Sequence, residues 1–247
     1  MKLINQLLSY PLTILFYILF GIELLVFDLI QRITLSIFGY QAHKVSVDIF
    51  NGFLVRNLHV LGVRYTVKLP SSLPVGKPVI IVSNHQSMWD IPPLIWFLRK
   101  LHVKFISKKE LGKGIPSVSY NLKYGGSVLI DRKDPLQATE RIKTIAEYIS
   151  KYNRSVVIFP EGTRSRDGIP KPFKRKGLET LLVNAQDAYI LPISISNSWK
   201  LQKNGMFPIP LGAHLKFKVH EAIKASSFNH NELIENLETL VVSEIEN

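Results

Sequence analysis

The sequence predicts an α/β fold: a mixed, mostly parallel central sheet flanked by helices, preceded by an N-terminal apolar two-helix membrane-attachment segment. Two observations support this prediction. Short apolar runs alternate with segments of helical periodicity from about residue 40 onward. The first forty residues are mostly apolar. We therefore divide the chain into residues 1–40, the attachment helices, and residues 41–247, the α/β domain.

The N-terminal segment has the length and composition of a membrane helix. Residues 3–22 (LINQLLSYPLTILFYILFGI) carry no charge, and about 20 apolar residues span a bilayer. Residues 23–40 place Glu23, Asp28 and Arg32 so that one stripe stays apolar, as in a helix at the interface. A secretory signal fits poorly because no small-residue cleavage pattern follows. The sequence does not decide whether these two helices dip into the bilayer or cross it. The alternative to membrane attachment is a pair of core helices.

The remaining chain alternates between strand and helix signals. Apolar or alternating runs predict strands at residues 62–69, 78–84, 103–107, 126–131, 155–160, 189–196 and 214–223. Helical patterns cover residues 42–60, 91–100, 176–186 and 231–245. A further helix opens at Asp134 as N-cap, with Pro135 in the first position and Gln137 completing a capping box. Residues 108–125 are predicted to be a basic loop.

Composition limits the partners. Lys and Arg number 31 against 19 Asp and Glu, a net charge of +12, so an anionic partner is expected: nucleic acid, membrane phosphate or acidic protein. The basic runs at residues 99–113 and 171–176 lie inside the folded region, which favours a face or a pocket over a nucleic-acid arm. The absence of cysteine excludes disulfides and zinc–thiolate sites, and it fits a reducing compartment.

A histidine and an aspartate follow a buried strand. His85 stands five positions before Asp90 in VSNHQSMWDIPP, where an open α/β sheet binds its ligands. A carboxylate on one ring nitrogen fixes the tautomer of a general base. The pair would be the histidine and aspartate of a serine-protease triad without its nucleophilic serine, so the attacking hydroxyl would belong to the substrate. Two alternatives stay open: His85 satisfied in a turn with Asp90 capping a helix, and two-ligand metal binding.

A second polar turn follows a later strand. In IFPEGTRSRDG, a Pro-Glu-Gly turn offers backbone N–H groups, and Arg164 and Arg166 add guanidinium forks. Both features suit phosphate. The alternative is a solvated polar turn.

Four ordered segments resemble the sequence blocks of the glycerolipid acyltransferases, the family that makes phosphatidate from lysophosphatidate. NHQSMWD matches the N-H-x-S-x-x-D block, and FPEGTRS matches the third block letter for letter. The second corresponds to residues 108–132 and the fourth to residues 191–197. The second block departs from the pattern: Gly112 and Gly114 loosen it, and SVSYNL replaces aromatic residues.

The resemblance implies acyl transfer from acyl-CoA or acyl-carrier protein to the sn-2 hydroxyl of 1-acyl-glycerol 3-phosphate. His85 would be the general base and Asp90 its partner. The expected substrate-binding residues are Glu161, Gly162, Thr163, Arg164, Arg132, Lys108 and Lys109. Backbone N–H groups near Glu161 and Gly162 are candidate oxyanion donors. The partners expected are lysophosphatidate, the thioester and a membrane lipid surface, without nucleic acid, metal or organic cofactor. The active site is expected on the cytoplasmic face of the cell membrane.

Three rival functions remain. Within the family, the acceptor is glycerol 3-phosphate or another lysophospholipid. Outside it, one rival is a basic nucleic-acid-binding membrane protein, which predicts aromatic residues interleaved with basic ones. The other is a lipid-binding protein that kept the fold and lost the chemistry.

Overall fold

A sheet of eight strands forms the centre of the computed structural model, which describes residues 2–227 and 229–246. The strands are β1 Arg64–Lys68, β2 Val79–Ser83, β3 Val103–Lys108, β4 Val128–Ile130, β5 Ser155–Ile158, β6 Tyr189–Ser196, β7 His214–Val219 and β8 Ile223–Lys224. Their order is β1-β7-β6-β2-β5-β3-β4, with β8 also pairing with β6. All pairs are parallel except β6 with β7 and β6 with β8. The predicted mixed, mostly parallel sheet is confirmed.

Helices cover both faces of the sheet. They are α1 Lys2–Asn57, α2 Ile91–Phe97, α3 Val118–Tyr124, α4 Pro135–Tyr152, α5 Arg175–Asn184 and α6 His230–Ser243. In β2, Val79 and Ile81 join the core cluster beneath α1 and α2, whereas Ile80 and Val82 join the cluster beneath α4, α5 and α6. A strand buried on both faces needs apolar side chains at every position, which explains the continuous apolar run in β2.

Helix α1 is a hairpin with its turn at Gly39. The backbone of Gly39 (φ 77°, ψ −172°) is the one non-helical point within α1, and a residue without Cβ takes this conformation readily. The chain then folds back, so that Asn57 Nδ2 donates to the Phe16 carbonyl at 3.3 Å and the Phe27 and Phe50 rings lie 5.3 Å apart. The two helices predicted before residue 40 are therefore not confirmed: residues 2–38 form one helix.

The first arm of α1 has two different faces. On the inner face, Phe16 is fully buried and its ring lies 5.2 Å from that of Trp89. The outer face exposes large apolar side chains every three or four residues: Leu3, Ile4, Leu7, Leu8, Ile14, Leu15, Ile18, Ile22, Leu25, Leu29, Ile33 and Ile37. Among the described residues, one helical stretch, Leu3–Leu61 with its turn at Gly39, passes a test of length and hydropathy for a helix that could cross a bilayer. This exposed face indicates membrane association.

Three predicted elements differ in detail from the structure. The predicted loop at residues 108–125 contains a 3-10 turn, Lys109–Gly112, and helix α3. The predicted strand at residues 214–223 is interrupted between β7 and β8. Asp134 caps α4 by accepting from Gln137 N at 3.0 Å, but the Gln137 side chain accepts from Asp131 N instead of completing a capping box.

Candidate active site

The carboxyl ends of four adjacent parallel strands place the predicted site residues along one edge of the sheet. His85 follows β2, Arg164 follows β5, Lys108 ends β3 and Arg132 follows β4. These strands are neighbours in the order β2-β5-β3-β4. Ligands of open α/β sheets bind at this edge.

The His85–Asp90 pair forms within a tight turn. Ser87 caps the short 3-10 helix Met88–Asp90, which directs the Asp90 carboxylate back toward His85. Asp90 Oδ2 lies 2.8 Å from His85 Nδ1 and accepts from the backbone of Gln86 at 2.8 Å and of Ser87 at 3.0 Å. A carboxylate bonded to Nδ1 favours the tautomer with the proton on that nitrogen, which leaves Nε2 free to accept a proton.

The environment of the pair holds the imidazole in place. Asp90 is fully buried, and its Oδ1 accepts from the Ser198 hydroxyl. The His85 ring stacks on Phe159, with centroids 4.0 Å apart, and its side chain keeps 15% exposure. Asp90 and Phe159 therefore fix the orientation of the His85 imidazole, and part of its side chain stays exposed to a ligand.

Glu161 joins the two polar loops. Glu161 is 1% exposed, and its carboxylate accepts from His85 N at 2.7 Å and from Lys171 N at 3.0 Å. Ser165 N also donates to the His85 carbonyl at 2.8 Å. Desolvation raises the pKa of Glu161, against the lowering effect of the two backbone donors. Hydrogen bonds thus join the loop after β2 to the loop after β5. Both Glu161 oxygens take part in positioning these loops.

Arg164 and Arg132, the two arginines expected to bind substrate, lie close enough to interact electrostatically. Arg164 Nη1 donates to Gln202 Oε1 at 3.2 Å, and the same oxygen accepts from Met88 N. Desolvation lowers the pKa of Arg164, with Arg166 adding to the effect and Asp90 opposing it. Desolvation also lowers the pKa of Arg132, and the charge of Arg164 contributes. Neighbouring cations repel one another, so a bound anion would relieve both.

The remaining predicted residues differ in placement. Lys109 forms an ion pair with Asp131, while Lys108 and Thr163 are exposed. Gly162 N donates to the Phe159 carbonyl at 3.0 Å, so this N–H is not free to serve as an oxyanion donor. A Cβ at Gly162 (φ 70°) would lie 3.2 Å from Lys174 Nζ. The amine of Lys174 therefore lies beside this turn.

Two residues of the site were not predicted from sequence. Ser198 donates to Asp90, and its backbone N–H donates to Gln86 Oε1 at 3.0 Å. Gln202 links Arg164 to the turn after His85. The one sequence signal for Ser198 is its position directly after the fourth block; Gln202 has none. Within the described residues, no group of three or more His, Asp or Glu side chains is placed to hold a metal ion.

Comparison with known proteins adds to this geometry. A family model described as Acyltransferase matches residues 64–196, just over half of the chain. The chain belongs to this acyltransferase family. The match runs from β1 to the end of β6 and contains His85, Asp90, Arg132 and Arg164. The family resemblance and the enzyme class inferred from the sequence blocks are thus confirmed.

Named acyltransferases are similar to part of this chain. The chain is 35% identical over 147 residues to a human 1-acyl-sn-glycerol-3-phosphate acyltransferase beta, covering 59% of this chain and 51% of that protein. It is 34% identical over 158 residues to the chloroplastic 1-acyl-sn-glycerol-3-phosphate acyltransferase BAT2 of Brassica napus, covering 64% of this chain and 43% of that protein. The chain spans about half the length of the curated relatives it matches.

A solved structure matches nearly the whole chain. The crystal structure of the 1-acyl-sn-glycerophosphate (LPA) acyltransferase PlsC from Thermotoga maritima superposes with a TM-score of 0.79 at 25% identity. The match covers 98% of this chain and 95% of that one. The similarity therefore includes α1 as well as the sheet.

Proposed function

We propose that the protein transfers a fatty acyl group from a thioester to the sn-2 hydroxyl of 1-acyl-glycerol 3-phosphate, giving phosphatidate for phospholipid synthesis. One observation carries the proposal: the His85 Nδ1–Asp90 Oδ2 contact of 2.8 Å lies in a loop hydrogen-bonded to the one that presents Arg164. A general base and a cation for phosphate thus share one opening. The names of the similar proteins support this acceptor.

In the proposed mechanism, His85 Nε2 removes the proton as the acceptor oxygen attacks the thioester carbonyl. Asp90 stabilises the imidazolium through Nδ1–H. The tetrahedral intermediate then collapses, the C–S bond breaks, and the thiolate takes the proton from His85. General-base assistance of this kind is typically worth about 10²–10⁴-fold. No acyl-enzyme is required, because the substrate hydroxyl is the nucleophile.

The acceptor phosphate is proposed to bind Arg164 first. Arg132 is the second cation, and Lys108 and Lys109 lie along the same edge, although Lys109 already pairs with Asp131. Gly162 and Thr163 would border the glycerol. Glu161 is proposed to act by fixing both loops, since its two oxygens are bonded to backbone N–H groups.

The acyl donor is acyl-CoA or acyl-carrier protein in this proposal. The alternative acceptors are glycerol 3-phosphate and other lysophospholipids, because the same base and cations suit any phosphorylated glycerol with a free hydroxyl. Thiol release from each donor, measured against a panel of acceptors, separates these alternatives.

Residues 1–40 are proposed to attach the domain, residues 41–247, to the membrane surface. The inner face of the first arm packs on the domain through Phe16, and Thr13 Oγ1 accepts from Ile209 N at 3.0 Å. A helix crossing a bilayer alone would present apolar side chains on all sides, whereas this one has one free face, as in a helix lying at the interface. The active site would then face the cytoplasm, where the thioesters are available.

The test compares two substitutions by thiol release. His85→Ala is expected to lower kcat by about 10³-fold with little change in the acceptor KM, because only proton transfer is lost. Arg164→Ala is expected to raise the acceptor KM by about tenfold or more, because a charge-assisted contact to phosphate is lost. Arg141→Ala removes an exposed guanidinium from α4 and is the matched control. Full turnover by the His85 variant would refute the mechanism.

A further inference from the structure

A second basic pocket lies between α1 and the segment that leads into α3. Its volume is about 310 Å³, and its walls include Arg32, Lys113, Tyr120, Lys123 and Tyr124. None of these residues is among those that surround His85 and Arg164 in the catalytic opening. The catalytic chemistry therefore assigns no ligand to this pocket.

One wall of this pocket is fixed by a strained turn. Ser117 has φ 64° and ψ −55°, and Val118 N donates to the Pro116 carbonyl at 2.7 Å, which closes a γ-turn. Ser117 N donates to Asp28 Oδ1 at 2.7 Å, and Gln31 Nε2 donates to Ser117 Oγ at 2.6 Å. Strained backbone of this kind costs about 1–3 kcal/mol and persists where its surroundings over-determine it. Two side chains of α1 thus hold the segment in place.

The same aspartate also orients the arginine of the pocket. Asp28 Oδ2 accepts from Arg32 Nε at 2.7 Å, and the Arg32 guanidinium lies 4.6 Å from the centroid of the Tyr120 ring. The other pocket cations, Lys113 and Lys123, form no ion pair within the part of the chain that the structure describes. After Asp28 neutralises Arg32, the pocket keeps two positive charges, and its tyrosine hydroxyls are further donors. Phosphate oxygens match this set.

The surroundings of the pocket indicate where the phosphate comes from. Leu29 and Ile33 lie within one turn of Arg32 on α1 and are 61% and 41% exposed. Cations and tyrosines directly beside an exposed apolar stripe are typical of protein at the headgroup level of a bilayer. A soluble phosphate would bind the cations but would leave the exposed apolar side chains of α1 in water.

We propose that this pocket, here called the α1–α3 pocket, binds the phosphate of an anionic bilayer phospholipid as a site separate from the catalytic one. The proposal rests on the proposed membrane attachment but not on acyl transfer. A lipid held there would dock α1 on anionic membrane while the catalytic opening remains free for the acceptor.

The test is sedimentation of the full chain with vesicles of phosphatidylcholine, with and without phosphatidylglycerol, in the absence of any acyl donor. Lys113→Gln/Lys123→Gln is expected to weaken partition onto anionic vesicles about 25-fold, since each basic residue near an anionic surface contributes about fivefold. On neutral vesicles the variant should match the wild type. The matched control, Lys77→Gln/Lys224→Gln, removes two exposed charges elsewhere and should change partition by less than about twofold because of screening.

Two more measurements distinguish a built site from diffuse attraction and from a site for a soluble ligand. Tyr120→Phe/Tyr124→Phe keeps the charge and is expected to weaken partition onto anionic vesicles by about threefold, the value of a lost hydrogen bond. An unchanged partition would indicate diffuse attraction and overturn the proposal.

Release of the protein from anionic vesicles by CoA or inorganic phosphate would assign the pocket to a soluble ligand and also overturn the proposal. Because no turnover is measured, His85→Ala should bind vesicles like the wild type, so an error in the proposed chemistry would not affect this result.

Discussion

Two polar clusters lie at opposite edges of the sheet, and their charged groups have different surroundings. The carboxyl-edge cluster comprises His85, Asp90, Glu161 and Ser198, and the amino-edge cluster comprises Tyr40, His102, Lys104 and Arg154. At the carboxyl edge, each Asp90 and Glu161 oxygen accepts at least one hydrogen bond. At the amino edge, the buried Lys104 and the half-buried Arg154 lie against the Tyr40 ring.

In the amino-edge cluster, positive charge is crowded. Lys104 is 6% exposed, and desolvation, with Arg154 and Lys44 adding to it, lowers its pKa to about 7. Desolvation also lowers the pKa of His102 to about 3, and its Nε2 lies 2.8 Å from Tyr40 Oη. The Arg154 guanidinium lies 4.3 Å from the centroid of the Tyr40 ring. These groups are held where their charged forms are unfavourable.

The difference shows that a buried charge alone does not mark a catalytic site. At the carboxyl edge, hydrogen-bond donors match the buried carboxylates, so the His85–Asp90 pair is preorganised, and Arg164 and Arg132 remain available to a ligand. At the amino edge, the cations face aromatic rings, and we expect the burial of Lys104 to cost stability. Three substitutions test this contrast, in order of decreasing expected effect.

Asp90→Asn should produce the largest effect, a loss of kcat of about 10³-fold. An amide cannot accept all the bonds that Asp90 accepts, and it cannot stabilise an imidazolium. Steady-state thiol release measures the loss. Asp134→Asn is the matched control, because asparagine serves equally well as an N-cap. A loss below about tenfold would mean that the carboxyl-edge cluster is structural.

Lys104→Met should stabilise the protein by about 4 kcal/mol at pH 7, because each unit by which burial lowers the Lys104 pKa costs about 1.4 kcal/mol. The folded-state pKa of about 7 lies below the ordinary value of 10.5. The unfolded chain therefore binds more protons between these values, and the wild type gains stability as pH rises. The advantage of the variant should shrink toward zero near pH 10.5.

Urea unfolding at several pH values measures this advantage. Turnover should be unchanged, because the cluster lies at the edge away from the catalytic opening. A variant that is less stable than the wild type at pH 7 would show that the buried ammonium is favourably solvated, and would remove the contrast between the two edges.

Ser198→Ala should produce the smallest effect, a loss of kcat of about tenfold. The substitution removes one donor to a buried carboxylate, and hydrogen bonds to charged groups are typically worth about 1.5–3 kcal/mol. The loss should appear in kcat rather than in the acceptor KM, because Ser198 lies behind Asp90. Ser196→Ala, on the adjoining end of β6, is the control, and equal losses in the two variants would contradict a positioning role.

The sequence by itself determined the local features: the alternation of strands and helices, the cap at Asp134, and the His85–Asp90 pair. The pair could be predicted because five residues fit within one turn, so its geometry depends on local backbone and the Ser87 cap. The helical residues 118–124 were predicted as loop because a seven-residue helix depends on packing for its stability.

Only the tertiary structure decided which strands are neighbours. Because β5 and β6 lie on either side of β2, Arg164 and Ser198 come close to the His85–Asp90 pair. These residues are far apart in the sequence, and no local sequence pattern predicts that they meet. The tertiary structure also folded α1 at Gly39 and used its inner face as core, leaving an apolar stripe outside. Periodicity and capping act within a few residues, whereas strand order and helix packing follow from the burial of the whole chain, and this is why the sequence located the base but not its surroundings.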